Sequence, residues 1–107
     1  MSQTFGQAIA DARKKAGLSQ KELAARIKKE EGGAISPQYL NDLERGRRNP
    51  PAPQLLDQFI RELNIESDWL YYVAGQYPED LRRGALDQAQ VREAFRAFRR
   101  GLNREHR

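Results

Sequence analysis

The sequence has no cysteine and a single histidine, His106, next to its end. Disulfides, thiol chemistry and a zinc site of the usual nitrogen and sulfur ligands are thereby excluded. No apolar run approaches the ~20 residues that span a bilayer, and the first residues lack the apolar segment of a signal peptide. The cytoplasm is the expected location. Catalytic sets are missing too: there is no Ser/His/Asp or Cys/His combination, and Gly32-Gly33 stands between helical segments without the strand a nucleotide site requires. Neither an enzyme activity nor a cofactor is expected. Excess charge of one sign is scarce, 19 Lys and Arg standing against 15 Asp and Glu.

At 107 residues, 38% apolar and 32% charged, the chain has the composition of one small globular domain with a modest core and an appendage. Residues 1–75 hold 11 Lys and Arg against 10 Asp and Glu, and residues 76–107 hold 8 against 5. Basicity in the first part is therefore local. It gathers at Arg13-Lys14-Lys15, Lys28-Lys29 and Arg45 to Arg48, while acids collect at Glu30-Glu31, Asp57, Glu62 and Glu66 to Asp68. Such polarity suits a surface with one DNA-facing side, although mixed charge is common on proteins that touch no nucleic acid.

Ser36-Pro37-Gln38-Tyr39-Leu40-Asn41-Asp42-Leu43-Glu44-Arg45-Gly46 reads as one short helix. Ser36 is an N-cap, Pro37 suits the first helical position, and Gly46 supplies the positive φ that ends a helix. Leu40 and Leu43 face a core, leaving Pro37, Gln38, Asn41 and Asp42 outside and Arg45, Arg47, Arg48 and Asn49 at the exit. An amide near a helix N-terminus can reach base edges, and arginines after its C-terminus suit phosphate. Taken alone, the stretch equally suits a surface helix followed by a solvated loop.

Upstream, Ser19 and Glu22 form a capping box, and Leu23, Ala24 and Ile27 an apolar stripe. LSQKELAARI followed by SPQYLNDLERGRRNP resembles the helix-turn-helix of Cro/C1-type (Xre family) repressors, over residues 4 to about 75. The resemblance implies an all-α, five-helix, lambda-repressor-like DNA-binding domain over residues 1–75, with residues 76–107 as a C-terminal helical arm. It also implies a transcriptional regulator, more often a repressor, acting on double-stranded DNA as a homodimer at a palindromic operator. Helix 36–46 would then enter the major groove. Pro37, Gln38 and Asp42 take the positions that face bases, with Asn41 serving base or phosphate. Gln20, Ser36, Tyr39, Arg45, Arg47, Arg48 and Asn49 are expected at phosphate, and Arg13 pairs with Glu44 unless it is simply solvated.

The remaining helices follow from caps and stripes. Thr4 and Gln7 cap a first helix that buries Phe5, Ala8, Ile9 and Ala12 and that Gly17 closes. The second helix is expected to run from Ser19 past Ile27 through Lys28-Lys29-Glu30-Glu31 to Gly32-Gly33, a longer connection than the family's tight version. After the proline-rich loop 49–53, Leu55, Leu56, Phe59, Ile60 and Leu63 define a fourth helix. A fifth covers 68–74, with Trp69, Leu70 and Val73 in the core and Tyr71, Tyr72 and Tyr77 partly exposed; stacking of these tyrosines on single-stranded nucleic acid is a lesser reading. Beyond a short helix starting at Pro78, Asp87 and Gln90 cap a last helix. Its face of Val91, Ala94, Phe95, Phe98 and Leu102 needs a cover: a second copy, the domain itself, or another protein. The rival function is accordingly an antitoxin-like or co-regulator adaptor whose C-terminal helix binds a partner.

Overall fold

The computed structural model describes residues 3–82, 84 and 86–104; His106 lies outside them. Helices α1 (Phe5–Lys15), α2 (Gln20–Arg26), α3 (Pro37–Glu44), α4 (Pro53–Leu63) and α5 (Ser67–Val73) are followed by α6 (Glu79–Arg82) and α7 (Gln88–Arg104). The helix starts follow local chemistry. Gln7 N–H donates to Thr4 Oγ1 at 3.1 Å while Thr4 N–H donates to Gln7 Oε1 at 2.9 Å, so two otherwise unpaired donors are satisfied at once. Ser19 and Glu22 repeat the device, as do Asp87 and Gln90. At α4 the chain leaves the helix through Asn64 at φ 53°, a left-handed conformation that asparagine tolerates.

Ile9, Leu23, Ile27, Leu40, Leu43, Leu56, Phe59 and Leu70 are fully buried and join α1 to α5 in one core. Burying each such side chain stabilises by roughly 1.5–3 kcal/mol before chain entropy is counted. α1 lies against α3, α4 and α5, and α2 packs on α3. The approach of α1 to α3 depends on Gly6: a methyl group there would run into the carbonyl oxygens of Leu43 and Glu44.

The second helix ends earlier than its charge pattern suggests. α2 stops at Arg26, Ile27 is extended with φ −102° and ψ 121°, and residues 28–34 turn back as a small hairpin through one antiparallel bridge, Lys28 to Ala34. Ile35 N–H donates to the Ile27 carbonyl at 2.9 Å and Lys29 N–H to the Gly33 carbonyl at 2.8 Å, with Gly32 and Gly33 at positive φ in the turn. The buried side chain of Gln58 on α4 completes the ladder. Its Oε1 accepts from Lys28 N–H at 2.6 Å and its Nε2 donates to the Lys28 carbonyl at 2.8 Å. Local helix propensity in Lys-Lys-Glu-Glu thus yields to the burial of Ile27 and Ile35 and to this amide clamp.

Burial along α5 also differs from what its spacing suggests. Tyr71 is core, its hydroxyl donating to Asp57 Oδ1 at 2.6 Å, so burial leaves no polar atom unpaired. Burial, then the bond to Asp57, pushes its pKa up to about 12. Trp69 and Val73 are half-buried rather than core, with Trp69 Nε1 donating to Gln3 Oε1 at 2.9 Å. Tyr72 and Tyr77 are exposed.

Candidate nucleic-acid interface

α3 is held from behind and open in front. Leu40 and Leu43 anchor it, Ser36 Oγ accepts from Tyr39 N–H at 3.0 Å, and Pro37 occupies the first turn. On the outer side Pro37 and Gln38 are exposed, and Asn41 and Asp42 are half-buried. Gln38 Nε2 donates to Asp42 Oδ1 at 3.0 Å. One proton of the Gln38 amide is thereby anchored, while its carbonyl oxygen and second N–H remain for another partner.

Behind this face runs a polar chain joining three helices. Arg13 grips Glu44 through Nε–Oε2 at 2.7 Å and Nη2–Oε1 at 3.0 Å, and donates from Nη1 to the Leu18 carbonyl at 2.9 Å. The side chains are only 11% and 5% exposed, and the hydrogen bond to Glu44 raises the guanidinium pKa above its ordinary value. Gln20 Nε2 donates to Glu44 Oε1 at 2.9 Å and to Asn41 Oδ1 at 3.1 Å, and Arg45 Nε donates to the same Asn41 oxygen at 3.2 Å. Gln20 thus spends its amide protons on α3; what it presents outward is the first turn of α2. Asn41 keeps only its own N–H groups for an outside acceptor.

The exit from α3 is basic. Arg45, Arg47, Arg48 and Asn49 are exposed. The Arg48 guanidinium lies 5.5 Å from the Tyr39 ring centroid, and Arg47 approaches Asp42 at 3.9 Å while its N–H closes the helix on the Asp42 carbonyl at 2.8 Å. Among the described residues the side chains of these arginines make one hydrogen bond to Asn41, one ring contact to Tyr39 and one 3.9 Å approach to Asp42, and no close ion pair. They remain able to meet an anion.

Two residues that position this surface, and one that completes the core behind it, escaped sequence reasoning. Gln58 fixes the hairpin beside Ser36, Gly6 lets α1 touch the end of α3, and Asp57 satisfies Tyr71. An amide next to Phe59 carries no mark in the sequence of what it clamps. Gly6, by contrast, sits on the buried stripe between Phe5 and Ala8, a spacing that signals a close helix approach. Among the described residues no cluster of ligating side chains suits a metal ion, and no helix is long and apolar enough to cross a membrane.

An exposed polar face at the start of a short helix, braced by a preceding helix and followed by arginines, is the geometry of a helix-turn-helix. A family model described as helix-turn-helix matches residues 9–70, and the chain belongs to that Cro/C1-type (Xre) family of DNA-binding transcriptional regulators. Among solved structures it is similar to the SinR protein, from the SinR protein/SinI protein complex. The identity is 25%, the TM-score 0.52, and the match covers 96% of this chain and 95% of that one. No curated protein matches by sequence.

Proposed function

We propose that this regulator is a sequence-specific cytoplasmic repressor that binds an inverted-repeat operator as a homodimer, residues 1–75 reading DNA and residues 76–107 forming an interaction arm. The observation that carries the reading is the Gln38–Asp42 pair on the open face of α3. With one Nε2 proton held by Asp42, the amide offers Oε1 to adenine N6–H and its remaining N–H to adenine N7, the bidentate pattern that specifies this base. Asp42 then acts by orienting Gln38, as well as by accepting from cytosine N4 or repelling an ill-placed phosphate. Pro37 contributes apolar contact, such as a thymine methyl. Asn41 donates to a base or a phosphate.

Register comes from phosphate. The first turn of α2 at Gln20 and the hydroxyls of Ser36 and Tyr39 flank the groove, and Arg45, Arg47, Arg48 and Asn49 follow it. The copies meet at the apolar face of Val91, Phe95, Phe98 and Leu102. No catalytic role is assigned. The test is duplex binding as a function of salt: a steep fall in affinity with rising salt and a shallower slope for Arg47→Ala support the reading. Binding that ignores salt contradicts it.

A second reading has an observation of its own. The same α7 residues remain open in the single chain, and SinR is a protein found in complex with another, SinI. An adaptor whose arm binds a partner protein, with DNA binding secondary, accounts for both.

A further inference from the structure

α7 is not covered by the domain it follows. Phe98 meets Tyr72 edge-on at 6.4 Å between centroids and Phe95 meets Tyr77 at 6.4 Å, yet Val91, Phe95, Phe98 and Leu102 stay 37–51% exposed. Leu81 and Leu86, beside them in the chain, are open as well. An apolar patch of this kind on a small domain marks a place for a partner.

The rims of the patch say which one. At 100° per residue, the spacing of an α-helix, Arg92, Arg96 and Arg99 flank the apolar stripe on one side, and Ala94, Ala97 and Gly101 on the other. Arg99 sits 6.0 Å from the Phe95 ring, beside the stripe. α7 has five arginines and one acid, Glu93, and Glu93 is bound to Arg100 at 3.2 Å. Among the described residues Arg92, Arg96 and Arg99 make no ion pair. A second copy docked antiparallel about a two-fold axis would set each rim against its own counterpart, so arginine would face arginine. A helix with acidic residues along one flank turns that repulsion into attraction, while the alanine and glycine rim admits its backbone closely.

We infer that the α7 face is a receptor for an amphipathic helix of a partner protein, with aliphatic residues on one face and Glu or Asp along the flank that meets Arg92, Arg96 and Arg99. The inference rests on residues 76–107 being an interaction arm and is independent of what α3 reads. Such a helix competes with the second copy that the proposed homodimer seats on this face, so its binding would part the two copies there.

The test uses the full chain and two labelled synthetic helical peptides of about 18 residues, each with leucines at heptad a and d positions. One carries glutamate and the other lysine along one flank. Anisotropy titrations are expected to show the glutamate peptide binding about tenfold more tightly, the combined effect of three exposed ion pairs, with the gap narrowing as salt rises. Replacing Arg92→Glu, Arg96→Glu and Arg99→Glu together is expected to invert the preference; the residues are exposed, and circular dichroism checks that the chain stays helical. Equal affinity for the two peptides, no binding of either, or a preference that survives the charge reversal overturns the inference. An intact peptide preference in a chain that selects no operator would sink the DNA reading alone and leave this inference supported.

Discussion

Removing the carboxylate of Glu44 should damage both stability and DNA reading. In Glu44→Ala the Arg13 guanidinium, 11% exposed, loses both charge-assisted bonds and keeps only the Leu18 carbonyl. Gln20 loses one of its two acceptors on α3. Stripping one partner from a mostly buried, bidentate pair costs about 3–5 kcal/mol. The side chains here are slightly open, so the lower end, about 3 kcal/mol, is expected. With a urea m value of roughly 1.5 kcal/mol/M for a domain of this size, the midpoint should fall by about 2 M. Glu44→Gln retains one acceptor and should lose about half as much. Operator affinity should fall even under conditions where the variant is fully folded, because Gln20 is left with Asn41 alone to set α2 against α3. Urea unfolding followed by circular dichroism, with duplex binding measured on the same samples, reads both effects. A loss below 1 kcal/mol would refute the view that this pair joins α1 to α3, as would unchanged DNA binding by the folded variant.

Four further outcomes are expected. Gly6→Ala places a methyl group against the Leu43 and Glu44 carbonyls and should cost about 2 kcal/mol or more by overpacking, read as a lower urea midpoint. Gln58→Ala leaves the part-buried Lys28 backbone pairing unmade; a loss of about 1 kcal/mol is expected, with faster amide exchange confined to residues 28–35. The Tyr71 hydroxyl has a folded pKa raised from 10.0 to about 12. Its contribution of about 2–3 kcal/mol is therefore complete below pH 10 and lost as pH rises through 12, and Tyr71→Phe should flatten stability across that window. Gln38→Ala should cost about 1–3 kcal/mol at the preferred site and relax choice at one base pair, whereas Arg47→Ala weakens all duplexes alike.

Helix starts were legible because they are local. Thr4 with Gln7, Ser19 with Glu22 and Asp87 with Gln90 each close a bond within one turn, and the stripes through Ile9, Leu40 and Phe59 need only helical spacing to declare a buried side. The hairpin at 28–34 was not legible, since Lys28 to Glu31 are good helix formers and the force that unwinds them comes from Gln58, thirty residues away. Tyr71 misled for a related reason: its burial depends on Asp57 standing where the hydroxyl ends. On α3 the outward positions could be read from spacing around Leu40 and Leu43. That Asp42 grips Gln38, and that Gln20 spends its amide on Asn41 and Glu44, required the positions of the side chains themselves.

Selecting bound sites from a random duplex pool with the full chain at moderate salt decides whether α3 of two paired chains reads an operator. Enrichment of an inverted repeat with half-sites about one helical turn apart is expected, with an adenine position in each half-site that the Gln38→Ala chain no longer prefers. Salt-sensitive binding that enriches no sequence would show that α3 reads none.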